Sequence, residues 1–361
     1  MTIDLVGAVL SAPEAGATPD DRRAVHFLPA VRAREVDSEY VGWQARQDET
    51  DGYHRSLVHI YSSWADPWLI AGAAAAATTT AGVAVAHRPG VTTPTAAARS
   101  FATLDRLSHG RASTHLVIGS SDVDVRRDGD FLPKSERYRR AAEYLEVFTR
   151  TLTSDEPFDF EGKYYQVTDA WSGFRPTQIP RPPISIGGSS IAAMELAARY
   201  ADTYAGSYST LTELEAVIAQ VRTLASPLGR ELRFWKQFRV VLGDTDADAR
   251  ETVSFLRARA HDVLTALPDE AVRSSAQFAR DRERGLGADV DMREAAAKQL
   301  SATFDGLIVG SVGRVHEHIA AYRRAGITAI NVDALTETDH DRSLRRQLIT
   351  EIRRNETISQ P

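Results

Sequence analysis

Two glycines and two serines stand between an apolar run and a helix-like stretch, a pattern that is typical of phosphate binding. The run 184–187 ends in glycine and is followed by Gly188, Ser189 and Ser190, and a helix is predicted to begin at Ile191. Glycines let the backbone approach a ligand, and the free N–H groups of a helix start attract an anion. An ordinary turn with serine caps is the alternative. No Gly-Lys-Ser/Thr triplet follows, which excludes a Walker loop.

Two histidines lie in strand-like apolar runs from which they could reach a ligand. His115 lies in the second half of the run 113–119, and His26 lies inside the run 24–30. Alternate residues of a barrel strand point inward, so either side chain could face a site. A core histidine whose nitrogens are hydrogen-bonded is the alternative. His59 lies early in its run and is interpreted as structural.

Aromatic and basic side chains follow or interrupt two other runs. The segment 63–68 carries Trp64 and Trp68, which could wall an aromatic ligand or cap the rim of a barrel. Lys236 and Arg239 interrupt an otherwise apolar run. A buried cation needs a partner, which an anionic substrate would supply. Exposure to solvent, or pairing with an internal acid, is the alternative for these two residues.

The composition excludes several classes of protein. The chain has no cysteine, which excludes disulfides, thiolate metal ligands and a cysteine nucleophile. No H-E-x-x-H-like spacing and no G-x-S-x-G motif occurs, so neither a metal site nor a serine nucleophile elbow is predicted. The 49 acidic and 43 basic residues give a net charge of −6, which argues against a binder of nucleic acid or of anionic membranes.

No targeting or membrane segment is predicted. The alanine-rich stretch 69–80 is too short to span a bilayer. The first 23 residues have no basic region ahead of their apolar stretch and do not form a secretory signal. We interpret residues 1–23 as a loosely held N-terminal extension. Together with the lack of cysteine, these features favour a cytoplasmic protein.

Short apolar runs alternate with helix-length stretches along the chain. The runs are largely apolar on both faces, which is typical of buried parallel strands. The predicted strands are 24–30, 57–63, 80–87, 113–119, 184–187, 203–208, 233–242, 306–309 and 329–333. The helices between them have start and stop signals, such as Thr93-Pro94 at one start and Gly110 after its end. About eight such units predict an α/β fold, a (β/α)8 TIM barrel with insertions, and a doubly wound open sheet is the alternative.

Two stretches interrupt this alternation. Residues 122–134 form a charged insert, and residues 261–302 form a long, charged, helical segment. A long insert after a barrel strand is usually a lid or a substrate loop, so we predict a lid at 261–302. We expect residues 24–361 to form a single barrel domain.

Several motifs carry a resemblance to a known family. They are RPGVTTPTAAAR (88–99), ATLDRLSHGR (102–111), FL (131–132) with SERY (135–138), FDFEGK (158–163) and GGSS (187–190). Together they resemble the bacterial-luciferase-like, flavin-dependent monooxygenases, and most of all the alkanesulfonate monooxygenase branch. The likeness runs from about Ala24 to the C-terminal helix.

The resemblance implies a luciferase-like TIM barrel that receives reduced FMN (FMNH2) from a separate NAD(P)H-dependent flavin reductase. It implies that O2 reacts through a C4a-peroxyflavin to oxidise a small polar or anionic substrate, with an alkanesulfonate or related organosulfur compound as the candidate. It also implies a homo-oligomer, either a dimer or a tetramer. The implied cofactor-binding residues are Tyr138, Gly188, Ser189, Ser190, His115, Ala86 and His87. Within this framework we interpret His115, Arg239 and Trp64 as the catalytic residues.

The chain departs from the sulfonate branch at positions that bear on the substrate. Trp64 stands where the branch has a cysteine. Gln237 and Arg239 align with its arginine and histidine, and Leu335 lies at or near the place of a tyrosine. Three other interpretations therefore stay open. They are a deazaflavin- or NADPH-linked oxidoreductase on the same barrel, a flavin-binding protein without monooxygenase activity, and a non-flavin barrel enzyme.

Overall fold

The computed structural model describes residues 3–14, 16–28, 35–119, 121–266 and 292–357. The strands are β1 (Asp4–Val9), β2 (Arg55–Val58), β3 (Gly82–His87), β4 (Ala112–Val117), β5 (Phe158–Glu161), β6 (Gln166–Ala170), β7 (Ile184–Gly187), β8 (Thr203–Ala205), β9 (Arg233–Gly243), β10 (Ile308–Ser311) and β11 (Ala329–Ala334). The helices are α1 (Pro19–Val25), α2 (Ser38–Asp51), α3 (Pro67–Ala77), α4 (Pro94–Leu107), α5 (Asp122–Arg127), α6 (Lys134–Thr153), α7 (Ile191–Tyr200), α8 (Leu211–Ala225), α9 (Asp246–Ala266), α10 (Met292–Asp305), α11 (Val312–Arg324) and α12 (Asp339–Thr357).

Eight parallel strands form a closed barrel. In the order β1, β2, β3, β4, β7, β8, β9 and β11, each strand pairs with the next, and β11 pairs with β1. The pairing of β8 with β9, in which Thr203 lies opposite Arg233, closes the ring. The predicted (β/α)8 TIM barrel is therefore confirmed, and the open sheet is excluded because it would leave two free edges. The C-terminal half of β9 also pairs with β10.

Side chains on the barrel strands alternate between the barrel interior and the surrounding helices. An inner cluster of buried side chains comprises Val6, Leu57, Ala84, Ala86, Trp235 and Ala329. Their strand neighbours, among them Val83, Val85 and Phe234, belong to the larger core beneath the helices. The alternation therefore decides which residues near the carboxyl ends of the strands can face a central cavity.

The structure corrects the expectations for the first 30 residues. The segment 4–9 is barrel strand β1, paired on both sides, so it is not part of a loosely held extension and the barrel domain includes it. The first residues of the run 24–30 lie in α1, and no strand is formed there within the described residues. Thr18 and Asp21 cap this helix reciprocally, and Pro19 occupies its first turn. These start signals outweigh a short apolar run.

The two predicted inserts, 122–134 and 261–302, are described to different extents. The charged insert 122–134 contains the short helix α5, and β5 and β6 form an antiparallel hairpin after α6. The predicted lid at 261–302 is described only at its ends, because α9 extends to Ala266, α10 begins at Met292, and the residues between them lie outside the described part of the chain. No helix among the described residues is long and apolar enough to cross a membrane.

Candidate active site

A cavity of about 390 Å³ opens at the carboxyl ends of the barrel strands. Its strand residues are Leu57, Ala86, His115, Val117, Gly187, Ala205, Trp235, Gln237 and Asn331. Its loop and helix residues are His59, Ile60, Tyr61, Arg88, Ile118, Gly119, Asp124, Lys134, Tyr138, Gly188, Ser189, Gly206 and Ser207. In a TIM barrel this face carries the active site, and the volume lies in the range of small-molecule sites.

One end of the cavity is built from the turn between β7 and α7. Gly188 and Ser189 line the cavity together with Tyr138, whereas the Ser190 hydroxyl caps α7 by accepting from the N–H of Ala193 at 3.3 Å. A Cβ atom on Gly188 would lie 2.5 Å from the Ala193 Cβ and 3.3 Å from the Tyr138 hydroxyl. Glycine is therefore needed for this close approach. The hydroxyl of Tyr204 donates to the Gly188 carbonyl at 2.6 Å and fixes the turn.

Lys134 also lines this end of the cavity, although the sequence did not predict it as a site residue. It begins α6, four residues before Tyr138, so the two side chains share one face of the helix. The end of the cavity thus combines hydroxyl groups, free N–H groups at the start of α7 and one positive charge. This is a donor set for a phosphate group.

His115 lies on the inner face of β4 and lines the cavity. Its Nδ1 atom is 2.9 Å from the Ser185 hydroxyl, and its ring meets the Trp235 ring edge to face with centroids 4.9 Å apart. Burial lowers the pKa of His115 to about 4, so the imidazole is neutral at neutral pH. The structure brings this predicted residue to the cavity, beside Gly187.

His87, predicted as a cofactor contact, does not line the cavity. Ala86 faces the interior, so its neighbour His87 points outward and is only 2% exposed. The Nε1 of Trp68 lies 3.4 Å from Nδ1 of His87, and the Tyr144 hydroxyl lies 2.5 Å from its Nε2. Burial, and then the charge of Arg88, lower the pKa of His87 to about 4. Trp68 therefore belongs to the helix layer and does not form part of the cavity wall.

Trp64 supports the cavity wall from behind. Tyr61 and His59 are the lining residues, and the Trp64 ring lies 4.6 Å from the Tyr61 ring and 6.3 Å from the His59 ring, between centroids. His59, which the sequence analysis interpreted as structural, thus reaches the cavity. Trp64, predicted as catalytic, is one residue layer away from it.

Polar side chains occupy the cavity end near β9 and β11. Gln237 and Asn331 line the cavity, and the Gln237 amide donates to Asp333 at 3.4 Å. His26 binds the other oxygen of that carboxylate through Nε2 at 2.9 Å. Arg239 is not a lining residue, but it lies one step further along the inner face of β9, with its Nε 4.0 Å from Asp333 and 40% of its side chain exposed. It stands at the rim.

Two other residues singled out in the sequence face away from the cavity. Lys236 points to the helix layer, where its Nζ donates to the carbonyl of Tyr208 at 2.6 Å and lies 4.9 Å from the centre of the Tyr322 ring. The sequence alone allowed its charge to meet an anionic substrate, and the structure places the ammonium group outside the cavity. Leu335 is buried in a separate apolar cluster.

An ion-pair network at the rim was not predicted from the sequence. The buried Arg88 guanidinium binds Asp124 at 2.6 Å and Asp128 at 2.7 Å, and Ser62 donates to Asp124 at 2.7 Å. These contacts hold α5 against the loop after β2. Arg88 begins the motif 88–99 and the two aspartates lie in the charged insert 122–134, but no spacing in the sequence pairs them. Asn331, by contrast, interrupts an apolar strand and donates to the carbonyl of Val6 at 2.7 Å, so a polar residue in such a run was a usable signal.

A known family and several solved structures are similar to this chain. The sequence pattern of the family described as luciferase-like monooxygenase matches residues 24–329. EDTA monooxygenase from Chelativorans sp. BNC1 is 19% identical over 98% of this chain and 94% of that chain, with a TM-score of 0.73. A riboflavin lyase, solved with modified FMN and riboflavin, is 15% identical over 100% and 93% of the two chains, with a TM-score of 0.77. A coenzyme F420-dependent tetrahydromethanopterin reductase from Methanopyrus kandleri is 16% identical over 98% and 99%, with a TM-score of 0.67. At these identities the solved structures show a shared fold.

Proposed function

Because the chain belongs to the luciferase-like monooxygenase family, we propose that it is an FMNH2-dependent enzyme that uses O2 to oxidise a small polar or anionic substrate. The family match confirms the resemblance to the luciferase-like monooxygenases and the expected class, a monooxygenase. The observation that carries the cofactor proposal is the end of the cavity where Tyr138, Gly188 and Ser189 meet beside the start of α7.

The donors at this end suit the phosphate of FMN. A phosphate monoester carries about two negative charges at neutral pH. Hydroxyl groups, helix N–H groups and the ammonium of Lys134 together offer both hydrogen bonds and charge compensation. In our proposal the two serines have different roles. Ser189 faces the phosphate, and Ser190 keeps the helix start in place while its hydroxyl proton stays available.

Bound FMNH2 would supply the electrons with which O2 is activated, and the chain's residues would hold it and keep water away. His115 lies deeper in the barrel than the phosphate end, within reach of a ring system bound by its tail. Trp235, Ile60 and Tyr61 give the cavity apolar and aromatic walls. We propose Ala86 as a wall residue beside the ring, in place of a contact from the His87 side chain.

We propose that the substrate binds between the flavin and the rim near β9. Gln237 and Asn331 offer polar contacts there, and Arg239 would orient an anionic group. An alkanesulfonate or a related organosulfur compound is the candidate. EDTA monooxygenase, a structural neighbour, is named for a substrate that is also anionic. We also propose a separate NAD(P)H-dependent reductase as the source of FMNH2 and a homo-oligomeric enzyme, either a dimer or a tetramer.

The test of this function is binding and turnover in one series. Anaerobic titration with FMNH2 should quench tryptophan fluorescence, and incubation with FMNH2, 18O2 and a panel of sulfonates and sulfones should give a product heavier by one 18O atom. The Ser189→Ala, Ser190→Ala double variant should raise the Kd for FMNH2 by more than tenfold, because each donor to a charged acceptor contributes roughly 1–3 kcal/mol.

The control for the double variant is the loss of a helix cap away from the cavity. Thr210 caps α8 by accepting from the N–H of Glu213 at 3.1 Å, so Thr210→Ala should cost similar stability and leave the Kd unchanged. Unchanged FMNH2 affinity in the double variant would remove the phosphate assignment.

An F420-linked oxidoreductase is the second candidate, because a structural neighbour is an F420-dependent reductase. It predicts tight binding of reduced F420 or NADPH and no incorporation of 18O. A flavin-binding protein without monooxygenase activity predicts FMN binding and no oxygenated product. The same titrations and product analysis separate all three.

A further inference from the structure

The contacts of Ser185 determine which nitrogen of His115 carries the proton. The Ser185 hydroxyl lies 3.2 Å from the carbonyl oxygen of Thr114 and 2.9 Å from Nδ1 of His115. A carbonyl oxygen can only accept, so the arrangement in which both contacts are hydrogen bonds has the single hydroxyl proton of Ser185 donated to Thr114. Nδ1 of His115 must then donate its own proton to the hydroxyl oxygen. The neutral ring therefore keeps its lone pair on Nε2.

The Nε2 atom of His115 stands where this lone pair can meet a ligand. A Cβ atom on Gly187 would lie 2.9 Å from Nε2, so the absence of a side chain at Gly187 leaves the nitrogen uncovered. Both residues line the cavity, and Nε2 makes no hydrogen bond to any residue that the structure describes. Because burial alone lowers the pKa of His115 to about 4, the lone pair persists across the neutral pH range.

We propose that His115, held by Ser185 with its proton on Nδ1, is the residue that makes the cavity prefer reduced over oxidised flavin. Two-electron reduction of an isoalloxazine places a hydrogen on ring nitrogen N5, whereas the oxidised ring has a lone pair there. An acceptor at Nε2 complements the N–H group and opposes the lone pair. This inference rests on the proposed function, and it assigns His115 a specificity role and Ser185 a positioning role.

The same reasoning separates flavins from deazaflavins. A 5-deazaflavin has carbon at position 5, so its reduced form offers no N–H group at that position. Nε2 of His115 therefore gives reduced deazaflavin no advantage over oxidised deazaflavin. The phosphate end of the cavity contacts the tail of every such ligand alike, so it cancels when the two redox states of one ligand are compared.

The test compares four Kd values for the unmodified chain, measured anaerobically by tryptophan fluorescence with FMN and 5-deaza-FMN, each oxidised and reduced. We expect reduced FMN to bind at least tenfold more tightly than oxidised FMN, which corresponds to a rise of about 30 mV in the midpoint potential of bound FMN. For 5-deaza-FMN the two states should bind within about threefold of each other. Equal binding of the two FMN states, or the same preference for both ring systems, overturns the proposal.

Two variants then assign the effect to its residues. His115→Phe keeps an aromatic ring and should lose about tenfold of the preference for reduced FMN, with the affinity for oxidised FMN unchanged or improved. Ser185→Ala should lose several-fold, because the proton is no longer fixed on Nδ1. The matched control is Ser113→Ala, since Ser113 also donates to a neighbouring strand carbonyl, that of Val83 at 3.1 Å, and should keep the full preference.

The outcomes distinguish this inference from the proposed function. If the unmodified chain binds FMN in neither state, the proposed function falls and this inference with it. If FMN binds and His115→Phe retains the preference, only the role of His115 is overturned. The comparison with 5-deaza-FMN uses the unmodified chain, so it decides the matter even where a variant does not fold.

Discussion

Lys134 and Tyr138 lie one turn apart at the start of α6, and both side chains line the cavity beside Ser189. Glu136, which lies between them in sequence, pairs with Arg139 and Lys163. Lys134 itself forms no ion pair with any residue that the structure describes. Its charge is free to compensate an anion at this end of the cavity.

We predict that Lys134→Gln weakens the binding of FMN by roughly fivefold, about 1 kcal/mol for an exposed charge pair, and leaves riboflavin binding unchanged. Riboflavin has the same ring and no phosphate, so the difference between the two ligands isolates the charge. The loss should shrink at high salt, because screening weakens the attraction in the unmodified chain. Titration calorimetry at two salt concentrations measures the loss of affinity.

The control is Lys163→Gln. Lys163 lies in the turn between β5 and β6 and pairs with Glu136 of α6, so this variant should bind both ligands normally. A variant that loses affinity for both ligands equally would contradict an electrostatic role.

The strand at residues 82–87 shows how far the sequence could predict the site. Its apolar run located the strand almost to the residue, because buried parallel strands are apolar on both faces. The same property hides which face is inward. Ala86 and His87 are adjacent, and a shift of one residue exchanges the faces. The resemblance implies cofactor contacts from both residues, and of the two only Ala86 lines the cavity.

Other errors came from signals that compete over short distances. A short apolar run fits a strand or a helix, so the run 24–30 alone predicts a strand although Thr18 and Pro19 indicate a helix start just before it. Strand β1 was missed for the related reason that its short run lies next to a stretch rich in proline, glycine and aspartate. Lys134 could not be found, since an exposed lysine at a helix start has no pattern of its own. Its place in the cavity wall depends on how α6 packs on the barrel.

Gly188→Ala should impair the phosphate end of the cavity. The new Cβ would lie 2.5 Å from the Cβ of Ala193, which is buried in the first turn of α7 and cannot move without moving the helix. We expect the Kd for FMN to rise tenfold or more and the free energy of unfolding to fall by about 1–3 kcal/mol. Titration and urea denaturation measure the two effects.

Gly72→Ala is the matched control, because a Cβ on Gly72 in α3 meets nothing within 4 Å. It should bind FMN normally and gain about 0.5–1 kcal/mol. Normal FMN binding by Gly188→Ala would show that the turn tolerates a side chain.

Arg345 should be among the residues whose loss destabilises the barrel most. It contacts Asp51 at 2.5 Å and Asp48 at 3.1 Å, and both carboxylate side chains are fully buried. Arg345→Met leaves these charges underneath α12 with only Arg346 beside Asp51, and we expect a loss of about 3–5 kcal/mol in the free energy of unfolding. Arg354→Met on the same helix removes a surface ion pair and should cost less than about 1 kcal/mol. Denaturant unfolding of the two variants gives the comparison, and similar losses would contradict the buried network.

Glu49 should make the protein less stable in acid. Partial burial raises the pKa of Glu49, but hydrogen bonds from the backbone N–H groups of Ala81, Thr80 and Thr79, together with the Thr80 hydroxyl, outweigh it and lower the pKa to about 2. The unfolded chain binds this proton near pH 4.5. Below that pH the Glu49 carboxyl binds more protons in the unfolded state than in the folded state. Its contribution to stability is therefore lost as the pH drops from about 4.5 towards 2 and is constant above this window. Because the side chain is only partly buried, solvent screens these interactions and the contribution is about 1 kcal/mol. Glu49→Gln should therefore lose about 1 kcal/mol of unfolding free energy at pH 7. In thermal unfolding, the variant should also lose less stability than the unmodified chain between pH 4.5 and 2. An unchanged slope in that window would assign the acid sensitivity to other carboxylates.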